Sequence, residues 1–312
     1  MKSKGFQNPS ALKLSFRRKH GGMLSAFFRN IMSEDASFGQ PLVGIVVLNY
    51  NGKECFSRCL VSLQNLSYKN FFVVGVDNDS RDGSFEVAQQ EFPQVFFKKL
   101  SENRGFAAGM NEGIRIALEK GAQFVWVFNN DAEAEEGALT ELVRVAEKEP
   151  RSGLLSPWIF DSATNSLWFG KASVKWLRMR VSHDEPADFE KKAASYESEC
   201  LTGCALFLKK ECLEQIGAFD DRFFLYYEDA DLSLRAKKAG FKLLVVPGAR
   251  VFHSEQSQSN PKKLYFLVYS GLLFFQKHAK GALRPVLSLY GTIRVIKNRF
   301  DSMRGKAGAT AV

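Results

Sequence analysis

Three carboxylates fall within four residues in the segment 223–240, directly after a run of aromatic side chains. They are Glu228, Asp229 and Asp231, and the apolar residues that follow them recur at helical spacing as far as Gly240. Acidic residues are common at the start of a helix, because the exposed amides there favour negative charge. A carboxylate kept ionised in that position can also take a proton from a hydroxyl group. We therefore consider Asp229 a candidate general base.

Four clusters rich in Asn and Asp each follow a predicted β-strand. The predicted strands cover residues 43–48, 71–76, 95–100 and 124–128, and the clusters cover residues 49–52, 77–84, 103–105 and 129–131. Each strand is a continuous apolar run, which is typical of strands buried on both faces of a parallel sheet. Turn formation explains any single cluster, since these residue types favour turns. Four clusters at strand ends favour a binding site.

Helices are predicted between these strands, over residues 53–66 and 85–92 and from within residues 102–111 onward. The alternation of strand and helix predicts an α/β fold with a mostly parallel, Rossmann-like sheet and helices on both faces. Ligands of such sheets bind beyond the carboxyl ends of the strands. All four clusters are therefore expected at one ligand-binding edge.

The residue types at this edge exclude some classes of ligand and favour others. The loop after the first strand lacks the G-x-G-x-x-G pattern of dinucleotide-binding folds, and no P-loop pattern occurs. Asp77 and Asp79 can accept hydrogen bonds from a base or a ribose. Helix-opening amides at Asn103 and Gly105 can face a phosphate. Asp131, after the fourth strand, can hold a divalent cation against a diphosphate.

Five motifs occur in order along the chain: NYNG at 49–52, VDNDSRDGS at 76–84, NRGFAAGMN at 103–111, NND at 129–131 and YEDADL at 227–232. Together they resemble the motifs of family 2 glycosyltransferases, in particular the bacterial rhamnosyltransferase-like branch. The resemblance covers roughly residues 43–280. It implies a GT-A fold, a nucleotide-sugar donor, a divalent cation (Mg²⁺ or Mn²⁺) and inversion at the anomeric carbon.

The resemblance also implies roles for individual residues. Asp77 is expected to contact the nucleobase, residues 103–106 to face the nucleotide, and Asp229 to be the catalytic base. Asp131 matches the last acid of the family's D-x-D metal motif. His253 resembles a histidine that serves some members as a second ligand of the metal or the diphosphate, although a histidine at a strand end is often only a polar terminus. The other candidate substrate-binding residues are Asn49, Tyr50, Asn51, Asp79, Asn103, Gly105, Phe106, Asn111, Thr202, Gly203 and Glu228.

Two features of the predicted site differ from the family pattern or allow more than one role: the D-x-D motif and Glu228. The first acid of the D-x-D motif is replaced by Asn129, so the cation has one negative ligand fewer and its affinity is expected to be lower. Glu228 either positions Asp229, binds acceptor hydroxyls or caps the helix.

The acceptor side is expected in the stretch that follows residue 153. Thr202 and Gly203 lie on a predicted strand, 201–208, that lines the acceptor pocket in the family. Residues 161–198 are polar and are predicted to be irregular. The tryptophans in this part of the chain, Trp158, Trp168 and Trp176, either form a platform for stacking sugars or pack beneath loops.

The resemblance predicts an inverting, metal-dependent enzyme that moves a sugar from a nucleotide sugar to a hydroxyl of a glycan or lipid-linked acceptor in cell-surface polysaccharide synthesis. A rhamnosyltransferase is the specific candidate. One alternative is a non-catalytic nucleotide-sugar-binding protein, but the presence of both Asp131 and Asp229 argues against it. A second is a sugar nucleotidyltransferase, which would carry a basic Gly-rich loop where this chain has residues 49–52.

Charge and composition set the expected organisation. Of the formal charge of +9, residues 1–40 carry +5 and residues 261–312 carry +9, which leaves −5 for the middle of the chain. We predict a flexible basic arm (1–40), a GT-A domain (41–260, with a nucleotide-sugar half 41–131 and an acceptor half 132–260) and a basic amphipathic helical segment (261–312). An acidic middle argues against a nucleic-acid groove.

The basic ends predict contact with an anionic membrane surface, on the cytoplasmic face of the cell membrane. Residues 264–275 are apolar over 12 residues, against about 20 needed to span a bilayer, and are predicted to form a core helix. The tail after Lys280 is predicted to lie in the headgroup layer.

The odd number of cysteines, five, suggests reduced thiols in a cytoplasmic protein, and their C-x₃-C spacings are only weak indications of zinc.

Overall fold

The structure, a computed structural model, describes residues 39–53, 55–184, 194–254 and 261–281, together with residues 285, 289 and 291. Contacts between Cα atoms divide the chain into two units, and all but two of the described residues belong to the unit Pro41–Val312. The predicted basic arm and the tail that follows residue 281 therefore lie almost wholly outside the described residues.

The first half of this unit alternates strands and helices. Its elements are β1 (Val43–Asn49), α1 (Phe56–Gln64), β2 (Phe71–Asp77), α2 (Ser84–Glu91), β3 (Phe96–Lys99), α3 (Gly105–Glu119) and β4 (Phe124–Asn129). β1 pairs in parallel with both β2 and β4, and β3 pairs in parallel with the far side of β2. Every residue of β1 is buried, as expected for a strand covered on both faces. The prediction of an α/β fold with a mostly parallel sheet is confirmed.

The second half extends the same sheet. Its elements are β5 (Ala132–Ala134), α4 (Ala138–Lys148), β6 (Ser152–Asp161), β7 (Leu167–Phe169), β8 (Ala172–Lys175), β9 (Arg180–His183), β10 (Tyr196–Glu197), β11 (Ala205–Lys209), α5 (Lys210–Ile216), α6 (Glu228–Lys238), β12 (Lys242–His253) and α7 (Pro261–His278). The strand order is β10-β12-β6-β11-β4-β1-β2-β3. β11 is antiparallel to both β4 and β6, whereas β12 is parallel to β6. The stretch predicted to be irregular contains four short strands, so that prediction is wrong.

Close packing of α3 on the sheet determines where the edge residues lie. A Cβ atom at Gly44 would lie 2.6 Å from the Cβ of Ala117 on α3. The missing side chain therefore lets the helix rest directly on β1. This packing places the first residue of α3, Gly105, beside the carboxyl ends of β1 and β2, where the side chain of Asn78 donates to its carbonyl (3.0 Å).

Helix α7 packs on α6. Phe274 and Phe275 are fully buried, as predicted for a core helix, but Leu264, Tyr265 and Tyr269 near its start are exposed. Among the described helices, none is both long and apolar enough to cross a membrane.

The three tryptophans of the acceptor side pack in three separate places. The Trp168 ring lies edge-on to His253 with centroids 4.8 Å apart, and Trp176 stacks on Phe274 at 6.4 Å. Trp158 lies on β6. The three rings therefore form no common platform, and of the two interpretations the structure favours packing.

Candidate active site

Asn49, the last residue of β1, joins three of the four polar clusters. Its side-chain amide lies 2.9 Å from Oδ1 of Asp77, 2.8 Å from Oγ of Ser84 and 3.1 Å from Oγ of Ser80. Its Oδ1 accepts a hydrogen bond from Asn130 at 2.9 Å. Asn49 is completely buried, so it organises the edge of the sheet and does not face a ligand directly.

Asp77 is also completely buried. Oδ1 accepts from Asn49, and Oδ2 accepts from the backbone amide of Ser80 at 2.9 Å. Both oxygens are thus engaged within the protein. The role of Asp77 as the nucleobase contact stays a prediction.

Of the candidate residues at this edge, Tyr50 and Asn51 are exposed, and Asp79 is partly buried. Tyr50 is 51% exposed, and Asn51 and Asp79 both have left-handed backbone conformations (φ 53° and 65°). The Asn51 side chain accepts from the amide of Arg81 at 2.9 Å, which joins the loops after β1 and β2. Non-glycine residues in this conformation cost conformational energy and concentrate at functional sites.

The amides at the start of α3 are bound within the protein. Gly105 N–H donates to Oδ1 of Asn103 (2.9 Å), Arg104 N–H donates to Oδ1 of Asn78 (2.9 Å), and Phe106 N–H donates to the carbonyl of Phe224 (2.7 Å). The sequence predicted that these amides would be available to bind a phosphate, whereas in the structure all three donate to acceptors within the protein. Their partners instead tie the loop to the segment that precedes α6.

Asn111 makes a similar connection. Its Oδ1 accepts from the amide of Phe219 at 3.0 Å, and its Nδ2 donates to the carbonyl of the same residue at 2.8 Å. Both groups of this side chain are therefore used to hold the loop that leads to α6. The structure gives Asn111 a supporting position, and its predicted contact with substrate stays a prediction.

Asp131 and His253 are neighbours. Their Oδ1 and Nε2 atoms lie 3.1 Å apart, and β5 pairs with β12 so that Ala132 lies opposite His253. Burial by itself lowers the pKa of His253, but Cys204 and Asp131 outweigh that effect and raise it above its ordinary value. The two residues predicted as metal ligands are thus brought together, although they are 122 positions apart in sequence.

The side chains around this pair suit a hard divalent cation. The Oδ1 atom of Asn129 is buried and has no hydrogen-bond partner among the described residues. Carboxylate and amide oxygens with one imidazole are donors that Mg²⁺ and Mn²⁺ accept, and such ions commonly keep positions for water and phosphate oxygens. Within the described ranges no group of three His, Cys, Asp or Glu side chains has a metal-binding arrangement. The protein would therefore supply two ligands, Asp131 and His253, and Asn129 lies two residues before Asp131.

Asp229 lies at the start of α6 and accepts two backbone hydrogen bonds. Oδ2 accepts from Gly203 N–H at 2.8 Å, and Oδ1 accepts from Ala230 N–H at 2.7 Å. Thr202 and Gly203 belong to a loop, because β11 begins only at Ala205, so their prediction as strand residues is wrong. Gly203 instead orients the carboxylate of Asp229.

Glu228 and Asp229 form a coupled pair of acids. Burial raises the pKa of both carboxyl groups, and the charge of Asp229 raises that of Glu228 further. The amides of Gly203 and Ala230 work against this shift at Asp229 only. Glu228 has no such donor at its buried Oε2 atom, which lacks a partner among the described residues. The two backbone donors stabilise the ionised form of Asp229, which is the form that a general base requires.

A short loop connects the metal-ligand candidates with the base. The carbonyl of Cys204 accepts from the amide of Asn129 at 2.8 Å, and the preceding residue, Gly203, donates to Asp229. The loop thereby links the carboxyl end of β4 to the start of α6 through one hydrogen bond on each side.

The contacts by which α7 fixes α6 were not predicted from the sequence. Oδ1 of Asp231 lies 2.6 Å from Nζ of Lys277 and 2.7 Å from Nε2 of His278, and Oδ2 lies 2.8 Å from Nε of Arg235. Burial by itself raises the pKa of Asp231, but these three donors hold it below its ordinary value. Only the Asp231–Arg235 pair, four residues apart on one helix, has a spacing that sequence alone reveals.

Solved structures of glycosyltransferases share this fold. The chain superimposes on the mannosyltransferase PcManGT from Pyrobaculum calidifontis in complex with GDP-Man and Mn²⁺ with a TM-score of 0.59 at 16% identity, over 93% of this chain and 84% of that one. The structure of GalNAc-T7 with UDP, GalNAc and Mn²⁺ gives a TM-score of 0.59 at 18% identity. That match covers 70% of this chain, which spans 45% of GalNAc-T7. These likenesses define the fold as the GT-A fold of glycosyltransferases.

The sequence profile described as Glycosyl transferase family 2 matches residues 44–216, so the chain belongs to this family. An N-acetylglucosaminyl-diphospho-decaprenol L-rhamnosyltransferase of Mycobacterium tuberculosis is 29% identical over 230 residues, which cover 67% of this chain and 75% of that protein. The dTDP-rhamnosyl transferase RfbF of Shigella flexneri is 23% identical over 283 residues, or 85% of this chain and 93% of RfbF. The expected membership of the rhamnosyltransferase-like part of this glycosyltransferase family is confirmed.

Proposed function

We propose that this glycosyltransferase moves a rhamnosyl group, with inversion, from a nucleotide sugar to a hydroxyl group of a lipid-linked or glycan acceptor in cell-envelope polysaccharide synthesis. The observation that carries the proposal is the loop at Gly203 and Cys204, which joins Asp229 to the strand end that bears Asp131. A base for the acceptor and ligands for the donor's diphosphate are thus parts of one site. The names of both bacterial relatives support the sugar, and that of the mycobacterial relative supports a lipid-linked acceptor.

Asp229 performs the proton transfer in this proposal. Its carboxylate takes the proton of the acceptor hydroxyl while the oxygen attacks the anomeric carbon. The two amides that bind the carboxylate fix its orientation, and burial raises its pKa, which makes it a better proton acceptor. A single displacement from the face opposite the leaving group inverts the anomeric centre.

Asp131 and His253 are the residues that would hold Mg²⁺ or Mn²⁺. A bound cation there would neutralise the charge that develops on the departing nucleoside diphosphate. Within the nucleotide half, Tyr50, Asn51 and Asp79 would contact the donor in this proposal. Asn49 supports them through the network at the carboxyl end of β1.

A screen of donor hydrolysis tests the proposal. The purified chain would be incubated with dTDP-rhamnose, UDP-GlcNAc, UDP-glucose and GDP-mannose, each with Mn²⁺, with Mg²⁺ and with EDTA. We expect slow cation-dependent release of dTDP that exceeds release from the other donors. Binding of dTDP-rhamnose without hydrolysis, and without transfer to any lipid-linked sugar, would support a non-catalytic binding protein instead.

A further inference from the structure

A cavity of about 420 Å³ lies at the end of α6 that is remote from Asp229. Four basic side chains line it: Lys237, Lys238, His278 and Lys280. The remaining lining residues are Trp176, Glu199 and Leu234. No step of the proposed transfer uses this cavity.

The cavity carries net positive charge. Lys237 and Lys280 are exposed, and within the described part of the chain neither forms an ion pair. Glu199, the acidic residue of the lining, accepts a hydrogen bond from the amide of Val174 at 2.9 Å. One carboxylate therefore faces several cations that have no counterion of their own.

Lys238 is held by His278 and adds to this charge. Its Nζ atom lies 2.7 Å from Nδ1 of His278; because an ammonium group only donates, Nδ1 accepts, and Nε2 donates to Asp231. Burial lowers the pKa of Lys238, and Lys280 lowers it further by repulsion. An anion in the cavity would relieve that repulsion.

Trp176 and Leu234 are the apolar residues of the cavity lining. Trp176 belongs to a 3₁₀ turn, Trp176–Arg178, whose middle residue Leu177 is 86% exposed. An exposed leucine and a tryptophan beside a basic cavity suit a ligand that has both an anionic group and a hydrocarbon chain.

The position of the cavity relative to the base sets the size of such a ligand. Eight residues of α6 separate Asp229 from Lys237, which is about 12 Å along a helix. A sugar whose hydroxyl reaches Asp229 and whose anomeric oxygen carries a diphosphate would extend over about this distance.

We propose that the cavity binds the diphosphate of a prenyl-diphosphate-linked acceptor, with the start of the lipid against Trp176 and Leu177. The proposal rests on the proposed function for the acceptor class. Lys237 and Lys280 contribute charge-assisted hydrogen bonds to the phosphate oxygens, which are stronger than neutral ones. The contact explains why cations surround the end of α6 without acidic partners.

Calorimetry of the full chain with geranyl diphosphate in EDTA tests this site, because chelation removes cation-dependent binding at Asp131. The test variant is Lys237→Gln/Lys280→Gln, and the matched control is Lys98→Gln/Lys148→Gln, which removes the same charge from exposed positions outside the cavity. We expect the test variant to bind at least about tenfold more weakly than the wild type, and the control to bind like the wild type.

Two further arms separate the lipid-linked anion from a free one. Inorganic pyrophosphate should bind more weakly than geranyl diphosphate, and Leu177→Ser should weaken only geranyl diphosphate. Equal affinities of the wild type and the lysine variant, or displacement of geranyl diphosphate by dTDP, would overturn the proposal. Equal binding of the two diphosphates would overturn its lipid part. Donor hydrolysis with Mn²⁺ is measured separately, so its absence contradicts the proposed function and leaves this binding result intact.

Discussion

The environment of Asp229 distinguishes it from an ordinary helix-capping acid. Its carboxylate accepts hydrogen bonds from two backbone amides, one of them from a loop 26 residues earlier in the chain. Burial raises its pKa, and the adjacent Glu228 has no comparable donors at its buried Oε2 atom. This difference in hydrogen bonding favours Asp229 over Glu228 as the general base, and the role of each acid stays a prediction.

Asp229→Asn is expected to lower the rate of sugar transfer about 10²–10⁴-fold, the usual contribution of a general base. Donor binding should stay within about twofold, since the base contacts the acceptor. The matched control is Glu228→Gln, which replaces the neighbouring acid by a neutral side chain of the same shape and should keep the rate within about tenfold. Transfer rates and donor affinities of both variants check this prediction. A larger loss of rate in Glu228→Gln than in Asp229→Asn would move the base to Glu228.

Asp131→Ala is expected to weaken nucleoside-diphosphate binding only when a cation is present. Asn129 brings no charge to the motif, so no neighbouring carboxylate replaces the lost one. We expect at least about a tenfold loss with Mn²⁺, because loss of even an outer-shell partner of a metal ligand costs about that much. Titration of dTDP with Mn²⁺ and with EDTA measures the difference.

The control for this titration is Glu141→Gln, which removes an acid paired with Arg144 on α4. It should leave both affinities unchanged. The same gain in affinity from Mn²⁺ in Asp131→Ala and in the wild type would remove Asp131 from the cation site.

At the level of elements, α7 holds α6 and the turn before it. Tyr226 and Tyr227 both have left-handed backbone conformations (φ 69° and 68°), which cost energy for residues with a Cβ atom. Ser270 of α7 donates to the carbonyl of Leu225 at 2.8 Å, and the Tyr227 ring packs 5.3 Å from that of Phe274. The strained turn that delivers Asp229 to the site is therefore maintained by a helix that follows it in sequence.

Asp231→Asn is expected to destabilise the protein by about 3 kcal/mol at pH 7, because the change removes the charge of a fully buried carboxylate that pairs with the partly buried side chains of Arg235 and Lys277. The folded-state pKa of Asp231 is below its ordinary value. Its ionic contribution is therefore complete above about pH 4 and is lost as the pH falls through the folded-state value. The difference between wild type and variant should narrow towards pH 3.

Urea unfolding at pH 7 and pH 3 measures this effect. Glu214→Gln, which breaks an exposed pair with Lys210, serves as the control and should change the free energy of unfolding by no more than about 1 kcal/mol. An Asp231→Asn variant as stable as the wild type at pH 7 would show that α7 is fixed by its apolar contacts alone.

For the whole molecule, the uneven distribution of charge predicts docking to an anionic membrane. Residues 261–312 carry ten basic residues and one acid, and the start of α7 exposes Leu264, Tyr265 and Tyr269. Aromatic residues beside basic ones favour the headgroup layer, where each basic residue contributes about 1 kcal/mol near anionic lipids. We propose that the enzyme is peripheral on the cytoplasmic face of the membrane, where a lipid-linked acceptor is accessible.

Vesicle flotation tests this prediction. The full chain is expected to float with vesicles that contain anionic lipid at low salt and to be released at about 0.5 M salt, since screening shortens the range of the attraction. A version that ends at Lys280 should float poorly, and neutral vesicles should bind neither protein. Failure of the full chain to float at low salt would contradict the predicted docking.

Much of the first half of the fold followed from the sequence, for a local reason. Continuous apolar runs form strands wherever both faces of a sheet are covered, and β1, β2 and β4 begin at the predicted residues. The five ordered motifs likewise identified the family, because each combines several residue types at fixed spacing. Such signals depend only on neighbours in sequence.

Only the tertiary structure decided how the side chains of these motifs are used. The sequence placed the amides of α3 opposite a phosphate, whereas contacts with Asn78 and Phe224 occupy them. It predicted a strand through Gly203, whereas that residue lies in a loop and binds Asp229. Partners of this kind are separated by 26 to 118 residues, so no local pattern encodes them. Hydrogen-bond partners and burial, which determine the surroundings of Asp229 and the proximity of Asp131 to His253, exist only once the sheet and helices have packed.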